Sequence, residues 1–351
     1  MEDYFSAESK PESHKKALKF VGLVAFIGII AIIANFSSSR ETSVVLAQLE
    51  LEEQEFKSFI ELYNKQYSSE QEYQNRFKIF RDNSAYARIF NTHGETYILG
   101  ITEFSDLTSQ EFSARISSPI TIQHSEVQES QQAEKLSIPT SIDWTQKGAV
   151  TPVLNQGGCA CGWAFSSVGA IESAWKISGN QLLTLSEQQL VDCSTNYGNK
   201  GCNGGNVVNA FQYVQYNGVT TASIYPYIVK QGSCTYKTST KAVQIGSYRN
   251  AGRGVESLIY NAVALQPVSV AVQANQPAWQ LYKGGIVSNN CGTQVNHFAL
   301  IVGYDQTNSP PYWKVKNSWG ASWGEAGYIR IAVVSGDGVC GIQIQPSYPI
   351  A

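Results

Sequence analysis

Asn155-Gln156-Gly157-Gly158-Cys159-Ala160-Cys161-Gly162-Trp163-Ala164-Phe165-Ser166 is the stretch on which the reading of this chain turns. From Gly162 to Ile177 the apolar residues Trp163, Phe165, Val168, Ile171 and Trp175 recur at helical spacing. Ala164, Ser166, Gly169 and Ala170 are small enough to let other elements pack closely, so the helix is expected to be buried. Its amino end carries a partial positive charge. A thiolate held there is stabilised, and the thiol ionises more readily. Cys159 and Cys161 lie just before that end, whereas Gly162 brings no side chain to it.

Working outward, the chain has 351 residues, a net charge of -3 and 15% charged residues, ample for one sizeable core or two small lobes behind a leader. The near-neutral balance gives no reason to expect nucleic-acid binding. All seven Cys fall between Cys159 and Cys340. Clustered Cys behind a hydrophobic leader point to disulfides made in an oxidising compartment, and an odd total leaves one thiol over. No cofactor and no metal are expected.

Residues 1–16 are polar and end on Lys15 and Lys16. The run from Phe20 to Ala34 is uncharged but shorter than the roughly 20 residues that span a bilayer. Residues 17–36 therefore read either as a signal peptide or as a signal anchor with its Lys side cytoplasmic. Both deliver the remainder to a lumen. Asn35-Phe36-Ser37 is a glycosylation sequon beside that run.

Leu46 to Asn91 reads as amphipathic helix through Phe56, Phe59, Ile60, Tyr63, Phe77, Phe80 and Tyr86. It breaks at Gln66-Tyr67-Ser68-Ser69, where Ser69 can cap a second helix with Glu72 three residues on. Glu72 and Arg76, four apart, are placed to pair. Ser117 to Lys135 is rich in Ser, Gln and Glu without apolar period, an exposed linker suited to cleavage. After about Tyr248 the alternation changes to period two. Residues 268–272, 299–304, 312–317 and 327–331 read as strands.

Several of these stretches together resemble one family. Gln156, Cys159 and Trp163-Ala164-Phe165-Ser166 are similar to the active-site segment of papain-family cysteine peptidases. Ungapped, that family's nucleophilic Cys falls on Gly162, and Cys161 is one residue early. Glu72, Arg76, Ile79, Phe80, Asn83 and Asn91 resemble the family's inhibitory-propeptide pattern, with Ala87 where Ile is usual. Gly100-Ile101-Thr102-Glu103-Phe104-Ser105-Asp106 resembles its second propeptide motif, with Thr102 in place of Asn. Leu136-Ser137-Ile138-Pro139 followed by Ile142-Asp143-Trp144 looks like a mature amino terminus of that family, and the long propeptide helix points to the cathepsin L-like branch.

The resemblance implies an α+β fold: a helical left lobe (about 148–249), a β-barrel-like right lobe (about 250–345) and a cleft between them. A helical inhibitory propeptide (46–116) and the linker (117–135) precede the peptidase domain (136–351). The propeptide is expected to cross the cleft as an extended run through 107–135. A lone His is usually structural, but His297, followed by Asn317-Ser318-Trp319-Gly320, fits the family's spacing. There the His is the general base and the Asn orients it. By the same resemblance Trp319 covers their hydrogen bond, and Gln156 with the backbone N–H of residue 162 forms the oxyanion hole. Gly204 and Gly205 are expected to line the substrate track, whereas taken alone they read as a turn. Phe298 and Gln345 are expected to narrow the pocket for the second residue before the scissile bond. The framework pairs carry over as Cys159–Cys202, Cys193–Cys234 and Cys291–Cys340, leaving Cys161 free.

Two functions follow. One is a thiol endopeptidase made as a zymogen, with Cys161 or a Cys miscalled as Gly162 for its nucleophile. The other is a peptidase-fold protein that keeps the cleft without cutting. Either is expected as a monomer that is lysosomal, vacuolar or secreted. Its expected partners are its own propeptide and polypeptides in the cleft. The membrane enters only through an N-terminal anchor.

Overall fold

The computed structural model describes residues 44–117, 120–122 and 137–351. The expected leader, anchor and sequon, and most of the linker, lie outside these residues. Among the described residues no helix is long and apolar enough to cross a membrane. The chain divides after Gln66 into two units. In the first, residues 44–62 form helix α1, with the rings of Phe56 and Phe59 stacked at 5.9 Å.

The second unit opens with α2 (Glu70–Phe90). Ser69 caps it, its side chain accepting from the Glu72 backbone N–H. The Glu72 carboxylate does not return to Ser69. It accepts from the backbone N–H and hydroxyl of Ser68. The expected Glu72–Arg76 pair is loose at 3.9 Å, because the Arg76 guanidinium donates instead to Glu111 at 2.9 Å and to the Asp106 carbonyl at 3.1 Å. Those bonds show what the propeptide pattern does. Asn83 donates to the carbonyls of Ser105 and Leu107, and Asn91 exchanges two hydrogen bonds with the Leu99 backbone. The long helix thus fixes the path of 99–107, which begins at the last residue of strand β1 (Tyr97–Leu99). Helix α3 (Ser109–Ile116) follows behind a complete capping box of Thr108 and Glu111. The expected extended run through 107–135 is therefore corrected: its first part is helix, since Thr108 and Glu111 satisfy the end of a helix locally.

β2 (Ser141–Asp143), α4 (Gly162–Ile177), α5 (Glu187–Cys193) and α6 (Val207–Asn217) come next, then β3 (Ser247–Asn250), α7 (Glu256–Leu265), β4 (Val268–Val272), α8 (Pro277–Gln280) and β5 (Tyr282–Val287). β6 (His297–Asp305), β7 (Tyr312–Lys316), β8 (Tyr328–Ala332) and β9 (Ser347–Ile350) complete the chain. The strands form one sheet in the order β1-β5-β8-β7-β6-β4-β9-β3, with β2 also on β6. The sheet ends on β1 and β3 and does not close, which corrects the barrel-like expectation. Its edge strand β1 is borrowed from the propeptide and lies antiparallel to β5.

β6 is the wall shared by two cores. Ala299 and Ile301 face the sheet-side core, with Trp279, Trp313, Trp319 and Trp323. Phe298, Leu300 and Val302 face the helical core of α4 and α6. This is the strand alternation of period two, buried on both faces. Helix α4 packs against β6, β4 and β9 and against α5 and α6, with most of its residues buried. Gly169 sits where an added Cβ would touch Leu300 of β6 at 3.0 Å, so close helix–sheet packing depends on it.

Candidate active site

Gly162 is the first residue of α4, and Cys161 is its N-cap, with no side-chain cap bond. The N–H groups of a helix's first turn have no intrahelical acceptor. Residue 162 therefore still offers a backbone donor. Gln156 is fully buried and held on every side. Its backbone N–H donates to the Ser318 carbonyl at 2.8 Å, its Oε1 accepts from the Ser318 hydroxyl at 2.7 Å, and its Nε2 donates to the Cys159 carbonyl at 3.0 Å. The Tyr227 hydroxyl donates to its carbonyl at 2.7 Å.

His297 opens β6 and is 2% exposed. Its Nε2 lies 2.9 Å from Asn317 Oδ1, which also accepts from the Ser318 backbone N–H at 2.8 Å. An oxygen accepting from one N–H accepts from Nε2 as well, which puts the ring proton on Nε2 and leaves Nδ1 as the lone-pair nitrogen. Trp319 lies over the ring at 5.1 Å between centroids, with Trp279 at 6.5 Å. Burial pushes the imidazole down to about 4, against a smaller upward pull from the Asn317 bond.

The position of that ring is the main departure from expectation. A Cβ built on Gly162 would stand 2.3 Å from His297 Cε1, 2.6 Å from Nδ1 and 3.1 Å from the Phe298 carbonyl oxygen. The imidazole occupies the space that a side chain at 162 would need. Nδ1, the atom that would take a proton from a nucleophile, lies 2.6 Å from where the Cβ of residue 162 would be.

Cys161 turns the other way. It is fully buried in the helical core, and its Sγ lies 3.1 Å from the Tyr227 hydroxyl. Burial pushes the thiol up to about 12, with the Tyr227 bond pulling it down and the Glu187 charge adding to the rise. Such a thiol is neither accessible nor ionised, which argues against it as nucleophile. Of the seven cysteines it alone is unpaired. The others are joined as Cys159–Cys202, Cys193–Cys234 and Cys291–Cys340.

Gly204 and Gly205 line a groove with Tyr197, Asn203, Asn206 and Thr121. Gly205 is required there: a Cβ would meet Trp163 at 2.6 Å and Asn199 Oδ1 at 2.7 Å. Gln345 donates to Asn206 Oδ1 at 2.9 Å, and Asn206 in turn donates to the carbonyl of Thr121 at 3.0 Å. Ile120 packs against the helical core, which also contains Phe298. Phe298 is 2% exposed, so its ring is a core side chain. The propeptide also packs on Trp319, the ring that lies over His297. Phe104 and Phe112 meet the Trp319 ring edge-on at 5.4 and 5.6 Å. Thr102 donates to the Gln280 carbonyl, and Gln280 Nε2 to those of Phe104 and Leu107.

Asn206, Tyr227 and Ser318 hold this site and were not singled out from sequence. Asn206 follows the expected glycine pair and Ser318 follows Asn317, so proximity to the motifs was their signal. Tyr227 sits 66 residues from Cys161 and carries none.

Comparison with known proteins gives the family. The pattern of the papain family cysteine proteases matches residues 138–350, and that of the cathepsin propeptide inhibitor domain matches residues 56–112. Ananain of Ananas comosus is 40% identical over 303 residues, 84% of this chain and 87% of that protein. The cysteine proteinase RD21A of Arabidopsis thaliana is 44% identical over 282 residues, and the chain spans 61% of its length. Among solved structures, procathepsin L 3 of the Tenebrio molitor larval midgut superposes with a TM-score of 0.78 at 34% identity, covering 86% of this chain and 99% of that one.

Proposed function

The chain belongs to the papain family of cysteine proteases, and from that premise we propose that it is a member that has kept the peptide cleft and lost the cutting step. The observation that carries the reading is the His297 ring lying where a side chain at 162 would begin. Cysteine catalysis in this arrangement needs a thiolate beside an imidazolium. Here the base, its orienting Asn317 and the oxyanion donors Gln156 and the 162 backbone are present, and the attacking sulfur is absent. The low proton affinity of His297 fits, since a buried imidazole with no anion beside it stays neutral.

In this reading the cleft binds polypeptides without hydrolysing them, and its first occupants are the propeptide, through Phe104 and Phe112, and the start of the linker, through Ile120 and Thr121. Residues 46–116 act as propeptide, 117–135 as linker and 136–351 as the peptidase-like domain. Residues 17–36, as signal peptide or anchor behind 1–16, send the protein through the secretory pathway to a lysosome, a vacuole or the outside. Family members that self-process use the missing nucleophile, so maturation of this chain falls to another protease. Purified precursor held at acidic pH is expected to stay full length. After its propeptide is removed by an added protease, an epoxide-type thiol inhibitor is expected to leave its intact mass unchanged. Stoichiometric labelling, at Cys161 or elsewhere, together with spontaneous conversion to a form beginning near Leu136, overturns the proposal.

A further inference from the structure

Asn206 is the N-cap of α6, and backbone groups assign both ends of its carboxamide. Its Oδ1 accepts from the Val208 N–H at 2.9 Å, and its Nδ2 donates to the Thr121 carbonyl at 3.0 Å. An amide has one accepting end and one donating end, so only this orientation satisfies both backbone partners. Gln345, just before β9, faces Oδ1 at 2.9 Å and therefore presents its Nε2 there. The Oε1 of Gln345 is left buried, with no partner among the described residues.

The arrangement exceeds what a helix cap requires, since a cap uses Oδ1 alone. The second donor to that oxygen comes from Gln345, 139 residues further on. With Oδ1 filled from two sides, the NH₂ end is turned toward the groove that Thr121 shares with Gly204 and Gly205. The Asn206 backbone is fixed as well. Its N–H donates to Asn199 Oδ1 at 2.8 Å, and Asn199 Nδ2 donates to the Ser194 hydroxyl at 2.9 Å. Asn199, Asn206 and Gln345 are all 4% exposed or less. A buried, oriented donor thus meets a main-chain carbonyl of the segment lying in the groove. The unpartnered Gln345 oxygen is costly to bury. An apolar side chain of similar size would fill that place more favourably if filling were all that Gln345 did.

We propose that Asn206 is a main-chain clamp for polypeptides in the cleft, and that Gln345 is the residue that aims it. The proposal rests on the reading of the cleft as a peptide-binding site and says how the peptide is held. Its ligand is an extended polypeptide recognised through a backbone carbonyl, a group that every residue carries. The hold at this point is therefore independent of the side chain. Gln345, expected to narrow a side-chain pocket, is tied instead to the amide that grips the backbone. Thr121 is the clamp's first partner, and other segments take its place once the linker has gone. Such a bond contributes to binding and makes no use of the side chain at position 162.

The first test uses the intact full chain. At neutral pH Asn206→Asp keeps an oxygen for the cap and for Gln345 and loses only the donor. An added protease of broad specificity is expected to cut residues 120–122, relative to residues 126–135 of the same chain, about 5-fold faster in this variant, the factor that a net hydrogen bond of about 1 kcal/mol represents. Gln345→Leu leaves the α6 cap intact and is the second variant, expected to move the ratio in the same direction. Equal ratios in the natural chain and Asn206→Asp overturn the clamp, and an unchanged ratio in Gln345→Leu overturns the aiming role.

The second test separates a direct bond from a structural effect. The folded full chain is freed of its propeptide by an added protease. It is then titrated in calorimetry with a synthetic peptide of residues 116–125, and with the same peptide carrying an ester in place of the Thr121–Ile122 amide. The ester carbonyl is the weaker acceptor, so the natural chain is expected to bind the amide about 5-fold tighter, and Asn206→Asp is expected to bind both alike. A ratio that survives in Asn206→Asp overturns the clamp, as does failure of the natural chain to bind either peptide. Hydrolysis of the peptide by the natural chain, read by mass spectrometry, would instead end the non-cutting reading, and the amide-to-ester ratio that judges the clamp is then read from KM.

Discussion

Cys161 and Gly162 share a peptide bond and sit in opposite environments. Cys161 faces the helical core, fully buried against Tyr227, with its thiol pushed up to about 12. Gly162 faces the cleft, and its missing side chain has been replaced by the imidazole of His297. One step along a helix is about 1.5 Å of rise and about 100° of rotation. Here that step decides between a thiol held as its acid by burial and a position at a helix amino end where a thiol would ionise. Nucleophilicity belongs to the position, and having a cysteine one residue away does not supply it.

The largest test of this contrast is Gly162→Cys. Losing a catalytic nucleophile costs other hydrolases roughly 10⁶ in rate. A displaced partner recovers less: a misplacement of about 1 Å costs roughly 10², and the His297 ring has to withdraw from the space of the new Cβ. The variant, processed by an added protease, is therefore expected to hydrolyse a fluorogenic dipeptide amide on the order of 10⁴-fold faster than the natural chain. No gain in a folded variant would mean that Trp319 and Trp279 hold the ring where it is, and that the cleft has lost more than its sulfur.

Gly162→Ala measures the occupied space without chemistry. Alanine is favoured over glycine in a helix by up to about 1 kcal/mol, yet overpacking a filled site costs typically about 1–3 kcal/mol. A net loss of about 1 kcal/mol is expected in chemical denaturation. In a His297→Ala background the same change is expected to become stabilising, a coupling of about 1–2 kcal/mol between two contacting positions. A gain in both backgrounds would show that the imidazole does not fill the site.

These experiments also mark what the sequence disclosed. The buried helix at 162–177, the amides of Asn83 and Asn91, the His297–Asn317 pair and the strands after Tyr248 were legible, because periodicity and motif spacing are local properties. The open sheet was not. Its edge strand Tyr97–Leu99 pairs with Tyr282–Gly285, nearly two hundred residues away, and no local pattern announces that partner. The place of the His297 ring in the side-chain space of Gly162 was equally hidden, since local sequence does not say which neighbour fills the space beside a glycine. The helix α3 was missed because its capping box was read as part of an extended run.

The smallest expected effect is at Cys161. Its thiol has one side-chain hydrogen-bond partner among the described residues, the Tyr227 hydroxyl, and that hydroxyl already donates to the Gln156 carbonyl at 2.7 Å. A serine hydroxyl can keep the contact with Tyr227, at the cost of burying a more polar group in the helical core. Net hydrogen-bond contributions are about 1 kcal/mol, so Cys161→Ser is expected to shift stability by about 1 kcal/mol or less. It should leave peptide binding in the cleft unchanged. The thiol itself reports its environment more directly. Iodoacetamide is expected to leave the native chain unmodified at neutral pH, where a buried thiol held up to about 12 has almost no thiolate, and to add one label when the chain is unfolded without reductant. Rapid labelling of Cys161 in the native state would mean that the start of α4 opens to solvent. The contrast between the two neighbouring positions would then be one of populations exchanging in solution, with Cys161 restored as a contender for the missing sulfur.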